Sequence, residues 1–480
     1  MGVVSMASMV PVEQQISALE TQFATLFEHS NVNPDVAYED RIHDLNKLQK
    51  ALKQHYKALV DALSQDYGHR SDTDTLIADI LPCFQMLRYT KRKLKRWMRP
   101  SSRSTGLLLT PASVKVHYQP LGVVGIVVPW NFPVTLSIIP LMTALAAGNR
   151  VMLKLSEFTP NTNLVLKAML GDAFPTEQVC VVDGEAAVAS AFCKLPFDHL
   201  LFTGSTEVGK KVMEAASANL TPVTLELGGK SPVIVAPDID PALAADRMLF
   251  GKNLNAGQIC VAPDFVFVPE TSLEPFVEAL RAKWQAAYPK GINSKDRTAI
   301  INDRQFSRLE SLIDTSREIG ATVIHLAEPA IDRGTRKMAL HLVVNPPADS
   351  AVMQQEIFGP ILPIITYKDV HDVVSTLHRQ PRPLALYVMT FDKDFQQHVI
   401  KHTHSGSLAI NDTVVHVAVD DAPFGGVGAS GMGSYYGIEG FRTFSHAKTV
   451  FTRGKINPGK LLTPPYDKWW QKLMLKTFLR

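Results

Sequence analysis

The sequence predicts an α/β protein: a doubly wound parallel sheet, a second α/β domain, and a small β segment. Three observations lead there. Short, continuous apolar runs such as Val123–Val128 alternate with helix-like stretches, as expected of strands buried on both faces. A second such series starts near Glu226. At 480 residues, with 46% hydrophobic and 20% charged residues, the chain is too long for one core and reads as globular.

Taken in order, residues 12–66 show helical periodicity with few breakers. The basic run Lys91–Arg96 follows and leads into Pro100-Ser101-Ser102, a helix exit. The run reads as a solvated helix face, with attraction to an acidic surface as the alternative. Ser113–Gln119 alternates like an edge strand, and Thr449–Thr452 is a candidate partner. Strands are predicted at Val123–Val128, Val151–Lys154, Val179–Val181 and His199–Phe202, with helices at Leu136–Ala147 and Asn163–Leu170. The second series adds strands Pro232–Val235 and Phe265–Val268, and helices Ala242–Asn253 and Leu273–Ala287.

The bulk properties narrow the function classes. A formal charge of +3 is small for this length and gives no support for nucleic acid as a partner. The cysteines Cys83, Cys180, Cys193 and Cys260 form no C-x-x-C pair or zinc-type cluster, so no metal is expected and a reducing compartment is. Met1–Pro11 lacks the basic and long apolar regions of an export signal, and no apolar run is long enough to span a membrane. A cytoplasmic protein is expected.

Five motifs carry chemistry: Pro129-Trp130-Asn131-Phe132-Pro133, Phe202-Thr203-Gly204-Ser205, Leu225-Glu226-Leu227-Gly228-Gly229-Lys230, Asn255-Ala256-Gly257-Gln258-Ile259-Cys260, and Glu356-Ile357-Phe358-Gly359-Pro360. A thiolate attacks carbonyl carbon well, and a carboxylate in an apolar site can have a pKa suited to activating water. In order and spacing the set resembles the aldehyde dehydrogenase superfamily, from about residue 40 to 455. The resemblance implies Cys260 as nucleophile, Asn131 with the Cys260 backbone N–H as oxyanion donors, and Glu226 as the base that hydrolyses a thioester.

It also implies a nicotinamide cofactor. No G-x-G-x-x-G follows a candidate strand, but Gly204-Ser205-Thr206-Glu207-Val208-Gly209 resembles the looser phosphate turn of the family, with Ser205 as a helix cap. Lys154 and Glu157 resemble the adenosine-ribose contacts, although Leu155 stands where the family usually has proline. A carboxylate there favours NAD, with NADP as the alternative. Trp130, Gly204, Ser205, Gly209, Glu356 and Phe358 complete the implied cofactor contacts.

The block from Asn411 to His446 is similar to the class 3 branch, and the overall pattern to bacterial coniferyl aldehyde dehydrogenases. Oxidation of an aromatic, cinnamyl or fatty aldehyde to the acid is therefore expected, by a homodimer. A coenzyme A-acylating enzyme and a silent scaffold are the alternatives. The implied domains are 1–101 with 121–225 for NAD(P), 226–443 for catalysis, 102–120 with 444–455 for oligomerisation, and a tail at 456–480. That aromatic, basic tail suits docking on protein or an interfacial helix on a membrane.

Overall fold

The computed structural model describes residues 10–32 and 34–479. The reading of Met1–Pro11 as lacking an export signal therefore lies largely outside the described residues. Among the described residues, no helix is long and apolar enough to cross a membrane.

Five strands form a parallel sheet in the order Val179–Val182, Arg150–Lys154, Val123–Val127, His199–Gly204, Val223–Leu227. The chain begins at the central strand, winds outward on one side, then returns to the other. The carboxyl ends of Val123–Val127 and His199–Gly204 thus flank a topological switch point, where α/β sheets leave a crevice for ligands. Every residue of Val123–Val127 is buried. The following helix, Thr135–Ala147, is almost entirely buried, which explains its all-round apolar sequence.

The second sheet runs Thr322–His325, His341–Val344, Ile361–Tyr367, Phe265–Pro269, Pro232–Val235, Ala385–Met389, Ser407–Ile410. It is parallel except for the antiparallel first pair. This series starts at Pro232 rather than near Glu226, because Val223–Leu227 pairs with His199–Gly204. Glu226 therefore stands at the end of the first sheet.

A three-stranded antiparallel sheet joins Ser101–Arg103, Ser113–Pro120 and Ser445–Thr452. The expected pairing is present and longer, with Thr449 opposite Val116. Ser101–Arg103, read only as a helix exit, adds a strand.

The stretch 12–66 is not one helix but two, Val12–Val32 and Tyr38–Tyr67. Pro34 accounts for the break, since its ring removes an N–H and clashes with a preceding helical turn. Val12–Val32 covers one face of the first sheet with Leu19, Phe23 and Leu26. The tail ends in the helix Trp469–Phe478, which leaves Trp469 and Leu473 exposed.

Candidate active site

Cys260 follows a strained turn. Asn255, Ala256 and Gly257 have φ of 50°, 55° and 77°, three left-handed residues in succession. Only the glycine adopts this without cost, so surrounding bonds must hold the turn. The buried Gln258 side chain does so by donating to the carbonyls of Asn255 (2.9 Å) and Ala299 (3.1 Å) and accepting from the N–H of Ile301 (3.1 Å). The hydroxyl of Tyr387 donates to the carbonyl of Val261 at 2.6 Å. Gly257 is obligatory on a second count, because a Cβ there would lie 2.7 Å from the Gly359 carbonyl oxygen. The quoted motif thus contains its own scaffold, although the sequence assigned roles only to its cysteine.

Asn131 sits in the loop after Val123–Val127, at the switch point. Its side-chain Nδ2 donates to the carbonyl of Gln258 at 3.2 Å, beside the nucleophile. One amide hydrogen is thereby engaged and the second is free to donate.

Glu226 lies on the strand Val223–Leu227 and is buried, and neither carboxylate oxygen has a hydrogen-bond partner. Burial raises its pKa well above the ordinary value. A glycine-rich loop closes the edge of this strand, where Gly431–Met432 pairs antiparallel with Leu225–Glu226. A Cβ on Gly431 would lie 2.0 Å from the Leu225 carbonyl oxygen, and one on Gly425 would lie 3.3 Å from Glu226 Oε1. The glycines after Pro423 therefore let that loop press on the strand that carries Glu226.

The Cys260 thiol is pushed up to about 12, first by burial and then by the nearby carboxylates of Glu356 and Glu226. The thiol form of Cys260 is therefore favoured near neutral pH. Of the four cysteines, Cys260 alone is not buried. Alkylation of the cofactor-free protein should therefore occur first at Cys260 and rise about tenfold per pH unit from pH 7 to 10, without a plateau. Addition of NAD, whose nicotinamide would bring a positive charge, should accelerate it at pH 7. A plateau below pH 8, read by mass spectrometry, would contradict this.

Cys260 opens into a cavity of about 200 Å³ lined by Phe132, Leu136, Phe250, Val415, Phe424 and Tyr436, among others. Its walls are dominated by apolar side chains, and Ile77 and Ala78 stand among its lining residues.

Glu356 and Phe358 occupy a loop tied down by Arg308 and Asp264, which no motif had marked, and by Lys230 at the end of the Glu226 motif. Arg308 donates to the carbonyls of Glu356 (3.2 Å) and Ile357 (2.6 Å), Lys230 to that of Gln355 (2.8 Å), and Asp264 accepts from the N–H of Ile357 (2.8 Å). Burial brings Glu356 up to about 7, and its Oε1 has no partner. A Cβ on Gly228 would lie 2.2 Å from that carboxylate. Gly228 thus makes room for Glu356. The Trp130 and Phe358 rings meet edge to face at 5.3 Å.

Ser205 caps the helix Thr206–Ser217 by accepting from the N–H of Val208 at 3.4 Å, which leaves an N-terminus at the switch point. Gly209 lets that helix lie on the sheet, since a Cβ there would be 2.5 Å from Leu227. Gly204 is confined by the Phe202 ring, at 2.4 Å from a Cβ built there. Lys154 is buried at the end of its strand; its ammonium donates to the Leu155 carbonyl at 2.7 Å and lies 3.9 Å from Glu157. Glu157, Asp183 and Glu185 line an adjoining cavity of about 360 Å³, and Asp183 Oδ1 is buried without a partner. A capped helix N-terminus suits the phosphates of a dinucleotide, and a carboxylate-lined cavity with an unpartnered Asp183 oxygen suits its sugar hydroxyls.

Residues 16–450 match the "Aldehyde dehydrogenase family". The chain is 50% identical over 469 residues to the "Probable coniferyl aldehyde dehydrogenase" of Pseudomonas aeruginosa, covering 98% of each chain. It is 42% identical to the "Coniferyl aldehyde dehydrogenase" of a Pseudomonas species, with 96% of this chain and 95% of that one covered. Among solved structures, the substrate-bound AldH of Staphylococcus aureus superposes with a TM-score of 0.91 at 36% identity, covering 96% of this chain and 99% of that one.

Proposed function

Since the chain belongs to the aldehyde dehydrogenase family and is an NAD(P)-dependent oxidoreductase of that activity, we propose that it oxidises a cinnamyl-type aldehyde such as coniferaldehyde to the acid, with NAD, through a thioester on Cys260. The observation that carries this reading is a buried carboxylate with both oxygens unpartnered, Glu226, close enough to act electrostatically on a largely buried thiol, Cys260, that lines an apolar cavity.

The proposed sequence starts with loss of the Cys260 thiol proton to solvent and attack of the thiolate Sγ on the aldehyde carbon. The oxygen of the resulting thiohemiacetal is stabilised by the free N–H of Asn131 and the backbone N–H of Cys260, each donor contributing about 3–4 kcal/mol to the transition state. A nicotinamide held by Trp130, Glu356 and Phe358 would supply the hydride acceptor, and loss of hydride from the former aldehyde carbon leaves the thioester on Cys260. Glu226 then takes a proton from water, whose oxygen attacks the thioester carbon and expels the Cys260 thiolate. Transfer to coenzyme A instead would leave Glu226 without a task.

For the cofactor, Trp130, Glu356 and Phe358 are assigned to the nicotinamide riboside, Gly204, Ser205 and Gly209 to the phosphate turn, and Lys154 with Glu157 to the adenosine ribose. Three carboxylates, Glu157, Asp183 and Glu185, outnumber two committed ammonium groups, Lys154 on the Leu155 carbonyl and Lys167 on Asp183, which disfavours a 2′-phosphate and supports NAD over NADP. The domains are assigned as 1–101 with 121–225 for the nucleotide, 226–443 for catalysis, and 102–120 with 444–455 for oligomerisation. The largely exposed edge strand Ser445–Thr452 supports a homodimer. Exposed Trp469 and Leu473 beside Lys468 and Lys472 suit either docking of the tail on protein or contact with an anionic membrane surface. We assign the enzyme to the cytoplasm.

The test follows NADH formation with acetaldehyde, hexanal, decanal, benzaldehyde and coniferaldehyde, each with NAD and NADP. Highest kcat/KM for coniferaldehyde with NAD is expected. Preference for decanal would discard the cinnamyl assignment, and preference for NADP the cofactor assignment.

A further inference from the structure

Beneath the Pro129–Pro133 loop lies an ion pair that the reaction sequence above does not use. Arg70 and Asp79 are completely buried and meet at 2.8 Å. Arg70 also donates through Nη1 to the carbonyl of Asn131 at 2.8 Å. That oxygen accepts further bonds from the Tyr67 hydroxyl and from Asn255 Nδ2, both at 3.2 Å. Asp79 uses its other oxygen, Oδ1, to accept from the N–H groups of Val134 (3.2 Å) and Thr135 (3.0 Å). The pair therefore grips the loop from both sides: Arg70 at Asn131, Asp79 at the start of the helix Thr135–Ala147.

Stability does not account for this arrangement. A buried ion pair is commonly no more stabilising than an apolar pair of the same volume. Here Arg70 Nε is also buried without a partner, an added cost. The Arg70 guanidinium is clamped between the Tyr67 and Phe132 rings, each 5.0 Å away. What the ion pair supplies, and an apolar pair would not, is a set of directed bonds that fix one peptide. That peptide belongs to Asn131, whose side chain reaches across to Gln258 beside the nucleophile.

Asp79 sits on a five-residue π-helical turn, Leu76–Ile80, where the register of a helix shifts by one residue. The shift lets adjacent positions serve different ends. Ile77 and Ala78 line the aldehyde cavity, while Asp79 turns inward to Arg70.

We propose that Arg70 and Asp79 are positioning residues for the oxyanion donor, acting through the Asn131 carbonyl, and that the π-helical turn holds this device beside the aldehyde cavity. The proposal rests on the reading of Asn131 as oxyanion donor, and the experiment separates the two. It measures kcat, KM for aldehyde and Kd for NAD in R70M, R70K, D79N, N131A and the double variant R70M/N131A, with thermal unfolding and Cys260 alkylation alongside.

R70M should lower kcat about 10- to 100-fold, as expected when a catalytic donor is misplaced by a fraction of an ångström to an ångström. R70K should recover part of the loss. Kd for NAD and the Cys260 alkylation rate should change less than about twofold, because neither depends on the amide of Asn131. In the N131A background, R70M should produce no further loss of kcat, the signature of two residues acting through one contact. Losses that multiply in the double variant, or a folded R70M with wild-type kcat, would overturn the positioning role while leaving Asn131 its own. An N131A enzyme with wild-type kcat would overturn both. Should R70M fail to fold, D79N, which keeps the shape of the side chain, carries the same cycle with N131A.

Discussion

Cys260→Ala is expected to reduce NADH formation by at least about 10⁴-fold with every aldehyde, because no other group in the cavity can form the covalent intermediate. Cys260 is the only cysteine that opens into the apolar cavity; Cys83, Cys180 and Cys193 are buried elsewhere. The substitution should leave the fold intact, since it removes only one sulfur and the turn before it is held by Gln258 and Asn255. Thermal unfolding and NAD binding should therefore match the wild type while turnover vanishes. Residual turnover above about one per cent would show that hydride leaves the aldehyde without a covalent bond to sulfur.

Glu226→Gln should separate the two halves of the reaction. Thioester formation does not require the carboxylate, whereas hydrolysis does, so the variant should give one NADH per site and then stall. Steady-state turnover should fall by about 10²- to 10⁴-fold, the usual range for a lost general base. Stability should move the opposite way. The folded-state pKa of Glu226 is raised by burial, so its favourable protonated form is fully present below the unfolded value of 4.5 and is lost as pH rises through the folded value. Glutamine has no charge to bury. E226Q should thus unfold at a higher temperature than the wild type at pH 8–9, with the difference shrinking as pH falls towards 5. Wild-type hydrolysis should also accelerate as pH rises through the Glu226 pKa, because only the carboxylate can accept a proton. A stable E226Q enzyme with undiminished steady-state turnover would remove Glu226 from the mechanism.

Much of this site was legible because its chemistry is written in short segments. Pro232–Val235 and Leu273–Ala287 match their predicted bounds, since continuous apolar runs and amphipathic periods are local signals. The break at Pro34 carried a local signal too, yet the periodicity on both sides hid it. Glu226 was marked by its motif, but its place as the end of the first sheet depends on pairing with His199–Gly204, which no local pattern encodes. The same holds for Arg70 and Asp79. Nothing in their spacing distinguishes them from ordinary surface charges, and only the π-helical turn and the fold bring both beneath Asn131. Gly228 and Gly431 were visible as glycines, but the atoms that exclude a Cβ belong to Glu356 and Leu225. What the sequence hid, in each case, was contact between distant segments.

A thioester on Cys260, hydrolysed with Glu226 as base, is the intermediate on which the proposed reaction turns. Its most direct test mixes E226Q with NAD and coniferaldehyde, quenches in acid after the NADH burst, and maps the adduct by mass spectrometry. One acyl group per chain, confined to the peptide that contains Cys260 and equal in amount to the NADH formed, is the predicted result. NADH formed with free acid and no adduct, or an adduct on another residue, would contradict it.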